Sequence, residues 1–296
     1  MLINVFLLIL ATCIWGFGFI ASRWTLVTLD PYWANALRFV VAGAASLPVL
    51  FYKKSFTRKD NILLKSFISS IFLLGVLLFQ TIGLTLTTVA KSGFITTLYT
   101  FFIPLITIIV FKKKYRPTFW LLIVMALIGM ALMCNLELKD LNSGDFLTLI
   151  CSAFAALHII YVGTIANKIE SPLEFNFLQN FFVAMISIPI AFIFSGTLDA
   201  SKVIGQDSKV LYGLLYLGII SSMISFTIQV IAQKKIPAHI AGLIFLMESP
   251  FAAVFGFYLL GESLNEMNII GAGLIVLSVL LVPVLGREVT ASVKTS

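Results

Sequence analysis

Phe245 to Glu262 reads FLMESPFAAVFGFYLLGE. A carboxylate, Glu248, stands inside a run that is otherwise apolar and of helical length, and Pro250 follows two residues later. Facing lipid, that charge would cost several kcal/mol. The stretch therefore demands a helix whose Glu248 side is turned to protein or to a watery cavity. Pro250 has no N–H to donate, so the carbonyl of Leu246, one turn back, is expected to lose its partner and loosen the helix beside the carboxylate.

The rest of the chain supplies the setting. Of its 296 residues 60% are hydrophobic and 11% charged, with mean hydropathy +1.06. Soluble domains carry about 25% charged residues, so this chain reads as an all-α integral membrane protein. Its net charge of +7 is no nucleic-acid signal, because Lys and Arg sit in short tracts between apolar runs. Cys13, Cys134 and Cys151 lie in or beside apolar runs and form no CxxC pair, which argues for packing rather than a metal site or a disulfide framework. The first apolar run has no basic flank and continues through Cys13 to Leu26, so it reads as a first span rather than a signal sequence.

About 20 apolar residues cross the hydrocarbon core. Ten segments qualify, near 4–26, 33–52, 64–84, 92–111, 118–135, 144–166, 173–195, 210–232, 239–260 and 267–286. With both termini cytoplasmic, the inner loops and tail hold fourteen of the twenty basic residues: Lys53, Lys54, Arg58, Lys59, Lys65, Lys112, Lys113, Lys114, Arg116, Lys168, Lys234, Lys235, Arg287 and Lys294. Outside fall only Lys91, Lys139, Lys202 and Lys209, while Arg23 and Arg38 lie within spans. This sorting obeys the positive-inside bias.

Proline and glycine landmarks recur at a nearly constant offset. Pro31 is matched by Pro172, Pro48 by Pro189, Gly75 by Gly218, Pro104 by Pro250 and Gly129 by Gly273. The expected organisation is a first five-helix repeat over 1–136, a second over 143–287, and a tail, 288–296. Five is odd, so the second repeat enters the membrane from the opposite side. Such inverted repeats are a recurring solution to alternating access.

Polar residues inside spans mark a candidate site. Arg38 or Arg23 could pair with Glu248, and Arg23 could instead reach outward to the interface. His158, midway along the sixth span, could bind a solute, relay a proton or bond a neighbouring helix. Gln80 and Gln229 occupy corresponding parts of the two repeats. Trp15 and Tyr99 offer rings with a polar edge. Asn176, Gln179 and Asn180 read as interfacial residues at the mouth of the seventh span. Ser92, Thr96 and Thr100 form a narrow stripe that lets helices approach closely. No Walker motif is present, and two histidines set far apart suggest neither metal nor cofactor.

Several stretches resemble the EamA-type branch of the drug/metabolite transporter superfamily. These are IWGFGFIASR in the first span, DPYWANALRFVVAG opening the second, SGFITTLYTFFIPLITIIV in the fourth, and the last two spans with Glu-x-Pro followed by Leu260-Gly261-Glu262. The resemblance implies a ten-helix carrier in a bacterial inner membrane that exports small metabolites from a central cavity, with Trp15, Arg38, Tyr99 and Glu248 at matching positions. His158 departs from the apolar or Trp residue usual there, and FKKKYR (Phe111 to Arg116) replaces the first-half Gly-Glu turn.

The expected protein is thus a non-enzymatic exporter of small metabolites, amino acids foremost, working by alternating access. Its substrate-binding residues are Trp15, Arg38, Gln80, Tyr99, His158, Gln229 and Glu248. Its partners are a small solute, the bilayer and candidate coupling protons; nucleic acid is not among them, and the chain is expected as a monomer or weak homodimer. A lipid or lysolipid flippase on the same fold is the alternative, and an integral-membrane enzyme a remoter one.

Overall fold

The computed structural model describes residues 2–48, 61–135, 141–204, 208–261 and 263–285. Lys53, Lys54, Arg58, Lys59, Lys139, Asp140, Glu262, Arg287, Lys294 and the tail over 288–296 lie outside the described residues. Among the described residues all regular structure is helical. The helices are α1 (Leu2–Thr25), α2 (Pro31–Ser46), α3 (Ile62–Leu86), α4 in two pieces (Val89–Thr97 and Tyr99–Phe111) and α5 (Pro117–Met133). They continue as α6 (Ser143–Ile165), α7 (Pro172–Ser195), α8 (Ser208–Leu215 running through Tyr216–Ser225 into Phe226–Gln233), α9 (Ala238–Phe245 and Glu248–Leu260) and α10 (Glu266–Leu285). Seven helices of the described chain are long and apolar enough to cross a membrane, and Pro117–Met133 and Glu266–Val282 are shorter apolar helices.

Two of the proline landmarks, Pro31 and Pro172, are helix starts, whereas Pro104 and Pro189 lie inside helices. Asp30 caps α2 by accepting from the N–H groups of Tyr32 (2.9 Å) and Trp33 (3.0 Å), with Pro31 in the first turn where no N–H is needed. Ser171 and Pro172 open α7 the same way, through the Glu174 N–H. Asn142 and Asp145 cap α6 reciprocally. Asp145 also accepts from Thr87 and lies 3.8 Å from Lys91, so this acid is tied to a helix start rather than placed for chemistry.

Packing joins α3 to α6, α1 to α8, α1 to α9, α4 to α6, α2 to α8, α3 to α7, α2 to α7 and α5 to α10. The largest buried cluster includes Leu8, Ile103, Phe119, Ile236, Leu243 and Ile244, and it closes the end of the bundle that holds the starts of α1 and α9. At the α5–α10 crossing a Cβ on Gly271 would lie 2.3 Å from the Gly129 carbonyl oxygen, so only glycine fits there. Gly273, the residue matched with Gly129 in the sequence, would meet nothing within 4 Å. The close contact thus pairs Gly129 with Gly271 instead.

Candidate functional site

Above the apolar plug, α1, α2, α3, α4, α6, α8 and α9 surround a cavity of about 110 Å³. Trp15, Arg38, Gln80, Tyr99, His158, Gln229 and Glu248 all line it. The seven residues singled out in the sequence therefore share one space, although they come from seven helices.

Two helices break where they reach it. In α9 the bonds Leu246 N–H to Leu243 O (3.2 Å), Met247 N–H to Ile244 O (3.0 Å) and Ser249 N–H to Leu246 O (3.2 Å) skip three residues rather than four. The Leu246 carbonyl is accordingly not left free, contrary to the expectation from Pro250. The helix tightens into a 3₁₀ turn, and the Ser249 N–H takes the acceptor that Pro250 cannot serve. In α4 the Leu98 N–H bonds Ile95 O (3.2 Å) and the Phe101 N–H bonds Leu98 O (2.9 Å), a similar tight turn. Pro104 lies six residues beyond Leu98, so it does not itself make that turn.

Tyr99 and Glu248 begin the helical pieces that follow the two breaks. They are 149 residues apart, the same spacing as Gln80 and Gln229. A carboxylate at the first turn of a helix sits in the favourable end of its dipole. Gly16 lets α1 press on this turn, since a Cβ there would lie 2.9 Å from Glu248 O and 2.9 Å from the Ala252 nitrogen.

The polar groups are held very differently. The Arg38 guanidinium, on a residue 8% exposed, donates through Nε to Ser222 Oγ (2.7 Å) and through Nη2 to Ser221 Oγ (3.0 Å). No Arg38 nitrogen lies within 4.0 Å of a Glu248 oxygen, so the pairing suggested by the sequence is not made. Arg23 sits exposed near the end of α1. Among the described residues, no hydrogen bond or ion pair reaches the Glu248 carboxylate.

Both serines belong to Tyr216–Ser225, a stretch of π-helix inside α8. π-Helical turns are rare and concentrate at functional sites. Asn176 braces this stretch, its Nδ2 donating to Ser222 O (3.0 Å), Met223 O (2.7 Å) and Thr227 Oγ1 (3.0 Å). Gln179 donates to Asn176 Oδ1 (3.3 Å), and its own Oε1 lies 3.2 Å from His158 Nε2. Asn176, Gln179 and Asn180 are fully buried rather than interfacial. Their i, i+3, i+4 spacing, which puts all three on one face, was the available signal.

The remaining lining is aromatic and amide. The Trp15 ring packs on Phe226 (centroids 5.2 Å) and Phe245 (5.1 Å), and its Nε1 donates to Ser221 O (3.3 Å). His158 stands edge-on to Phe226 at 5.9 Å. Gln229 Nε2 donates to Gln233 Oε1 (2.9 Å), and Gln233 Nε2 to Ile159 O (3.0 Å). Such a wall offers a carboxylate, an unspent edge of a guanidinium, amides and ring faces. It suits a small solute bearing both charges and some apolar bulk.

A chain from Archaeoglobus fulgidus, described as an uncharacterized transporter, is 27% identical over 277 residues, which is 93% of this chain and 84% of that one. The threonine/homoserine exporter RhtA of Escherichia coli (strain K12) is 27% identical over 165 residues, about half of each chain (54% and 53%). A protein of known crystal structure superposes with a TM-score of 0.78 at 16% identity, over 95% of this chain and 98% of that one, and shows the fold alone. The EamA-like transporter family matches residues 2–135 and, again, residues 142–283. The chain belongs to the EamA-like transporter family.

Proposed function

We propose that this protein is a secondary carrier that exports small metabolites, amino acids foremost, across the cytoplasmic membrane. The observation that carries the reading is the Glu248 carboxylate, bare of protein partners among the described residues, in one cavity with Arg38. Glu248 takes the solute's ammonium group. Arg38, two of whose N–H groups are committed to serines, offers its remaining donors to the carboxylate. Gln80 and Gln229 orient the polar head, and Trp15 and Tyr99 pack the side chain. The half-chain likeness to a threonine/homoserine exporter supports the amino-acid class.

Alternating access follows from ten spans arranged as two inverted five-helix repeats with both termini inside. The double family match supports the duplication. So does the packing, because exchanging α1–α5 for α6–α10 maps α3–α6 onto α8–α1, α1–α9 onto α6–α4, and α2–α8 onto α7–α3. Under this topology the central cavity lies toward the outside and the apolar plug closes the inside. Exchanging the conformations of the halves would reverse that.

The test is counterflow in proteoliposomes, using a pool of labelled amino acids and an internal pH dye, for wild type and Glu248→Gln. The reading expects saturable exchange of at least one amino acid, reduced by about tenfold or more in the variant, as for a lost charge-assisted contact of about 1.5–3 kcal/mol. No exchange by folded wild type would end the amino-acid assignment. Movement of a labelled lysolipid in the same vesicles would shift it to a lipid carrier.

A further inference from the structure

Four rings of the bundle spend their polar edge on the protein. Trp15 Nε1 donates to Ser221 O (3.3 Å) and Trp33 Nε1 to Gly196 O (3.1 Å). Tyr216 Oη donates to Ile14 O (2.8 Å), and Tyr115 Oη lies 2.8 Å from Thr107 Oγ1. Tyr99 differs. It is 6% exposed and lines the central cavity, yet its hydroxyl makes no hydrogen bond among the described residues. A buried tyrosine hydroxyl ordinarily has a partner, so this one is left for whatever fills the cavity. The ring is held from α9. A Cβ on Gly242 would lie 4.0 Å from Tyr99 Cδ2 and 2.6 Å from Ile103 Cδ1, so the glycine lets α9 close on this face of α4. Glu248, on the same α9, is the carboxylate whose charge is felt at the Tyr99 hydroxyl. Carboxylate and hydroxyl are thus two unspent groups of one cavity, each on the residue that opens a helical piece after a break.

We propose that the Tyr99 hydroxyl is a second acceptor of the ammonium subsite beside Glu248, so that the carrier selects a primary ammonium over its N-methylated form. The inference rests on the carrier reading above. An ammonium that enters the cavity gives up its water and has three N–H groups to bond again, each costly if left unpaired. Glu248 takes two through its two oxygens, and the Tyr99 oxygen takes the third while its ring packs the side chain. N-methylation removes one N–H and turns a methyl group to the hydroxyl. A site built around a hydrogen bond discriminates strongly against an analogue that lacks it, because its own polar group is then left unpaired. Gln80 and Gln229 also bring amides to the cavity, so a substitution at Tyr99 is what separates the candidates.

Counterflow competition with the full chain in proteoliposomes tests this. The labelled amino acid that exchanges is competed with its own unlabelled form and with its N-methyl derivative, for wild type and for Tyr99→Phe. Wild type should prefer the primary amine by about tenfold or more, as for one hydrogen bond to a charged group. In Tyr99→Phe the KM for the primary amine should rise about tenfold, with kcat within about threefold. Inhibition by the N-methyl form should stay as it was, so the preference collapses. Phenylalanine keeps the ring, so exclusion by bulk alone would survive the substitution. The hydroxyl has no protein partner among the described residues, so the melting temperature in detergent should not change.

Equal inhibition of wild type by the two forms would overturn the inference. A preference that persists in Tyr99→Phe would overturn it too, and would move the third acceptor to Gln80 or Gln229. A lowered melting temperature in Tyr99→Phe would give the hydroxyl a structural partner and withdraw it from the subsite. No exchange of any amino acid by folded wild type would remove the amino-acid reading and this inference with it. Exchange without the split between the two amines would remove this inference alone.

Discussion

Two corners of the cavity bind charge in opposite ways. On the α2–α7–α8 side the polar groups that brace the cavity have partners: Arg38 on Ser221 and Ser222, Asn176 on the π-helical carbonyls, Gln179 on Asn176 and His158. The amide of buried Asn180 has none among the described residues. On the α1–α4–α9 side Glu248 has none among the described residues, and the backbone beneath it is a tightened turn under Gly16. The first corner resembles a fixture, because removing any member leaves buried groups unpaired. The second resembles a socket, since its central group interacts with little until something arrives. Buried polar networks that are fully satisfied rigidify a site, whereas an unpartnered ionisable group is held at a cost that function must justify.

The sharpest way to break this contrast is to neutralise each corner in turn. Glu248→Gln should abolish most counterflow while leaving the melting temperature in detergent unchanged. Arg38→Met should lower both, with a stability loss of about 2 kcal/mol from the hydroxyls it strands. A clear loss of stability in Glu248→Gln would move the carboxylate into the structural corner. Full stability in Arg38→Met would show that the serines turn to carbonyls of their own helix and that the fixture is weaker than its bonds suggest.

How much of this was legible beforehand differs by corner. A polar residue in an apolar helix announces itself, so Arg38, His158, Gln229 and Glu248 were readable without coordinates. The rings Trp15 and Tyr99 were readable with less force, since most of the 27 Phe and the other aromatics are packing. What could not be read was partnership. Arg38 and Glu248 are a natural ion pair on paper, and only distance assigns the arginine to two serines. The π-helical stretch leaves no mark in side-chain spacing, because it is a shift in backbone bonding. Asn176, Gln179 and Asn180 follow Pro172 closely, which suggested the interface. Their burial depends on α8 packing across them, a tertiary fact. The 3₁₀ turn in α9 was half legible: the proline was visible, but the remedy taken by Ser249 was not.

A smaller effect tests the seam between the halves. Where α5 crosses α10, Gly271 should be the sensitive glycine and Gly273, the residue matched with Gly129 in the sequence, the indifferent one. Gly271→Ala brings a methyl to within 2.3 Å of one carbonyl oxygen and 2.5 Å of the Met133 nitrogen, both backbone atoms that cannot rotate away. A loss of about 1–3 kcal/mol is expected from such overpacking. Gly273→Ala meets open space and should be neutral, or gain up to about 1 kcal/mol from helix propensity. Equal effects in thermal melts would reject the close crossing.

The finest test concerns His158, which stands where the two corners meet. It lines the cavity, yet Nε2 lies 3.2 Å from Gln179 Oε1 and its ring is set edge-on against Phe226. At 4% exposure it has little open surface to offer a solute. These constraints place it with the fixtures. His158→Leu should therefore cost about 1 kcal/mol of stability, the net value of one neutral hydrogen bond, and leave the counterflow KM within about threefold of wild type. Gln179 keeps its bond to Asn176, which limits the damage to that one contact. A large change in KM at unchanged stability would put the imidazole in the socket beside Glu248. The boundary between the corners would then run through the Gln179 bond rather than through the cavity wall, and proton movement read by the internal dye would be the next property to compare between the two variants.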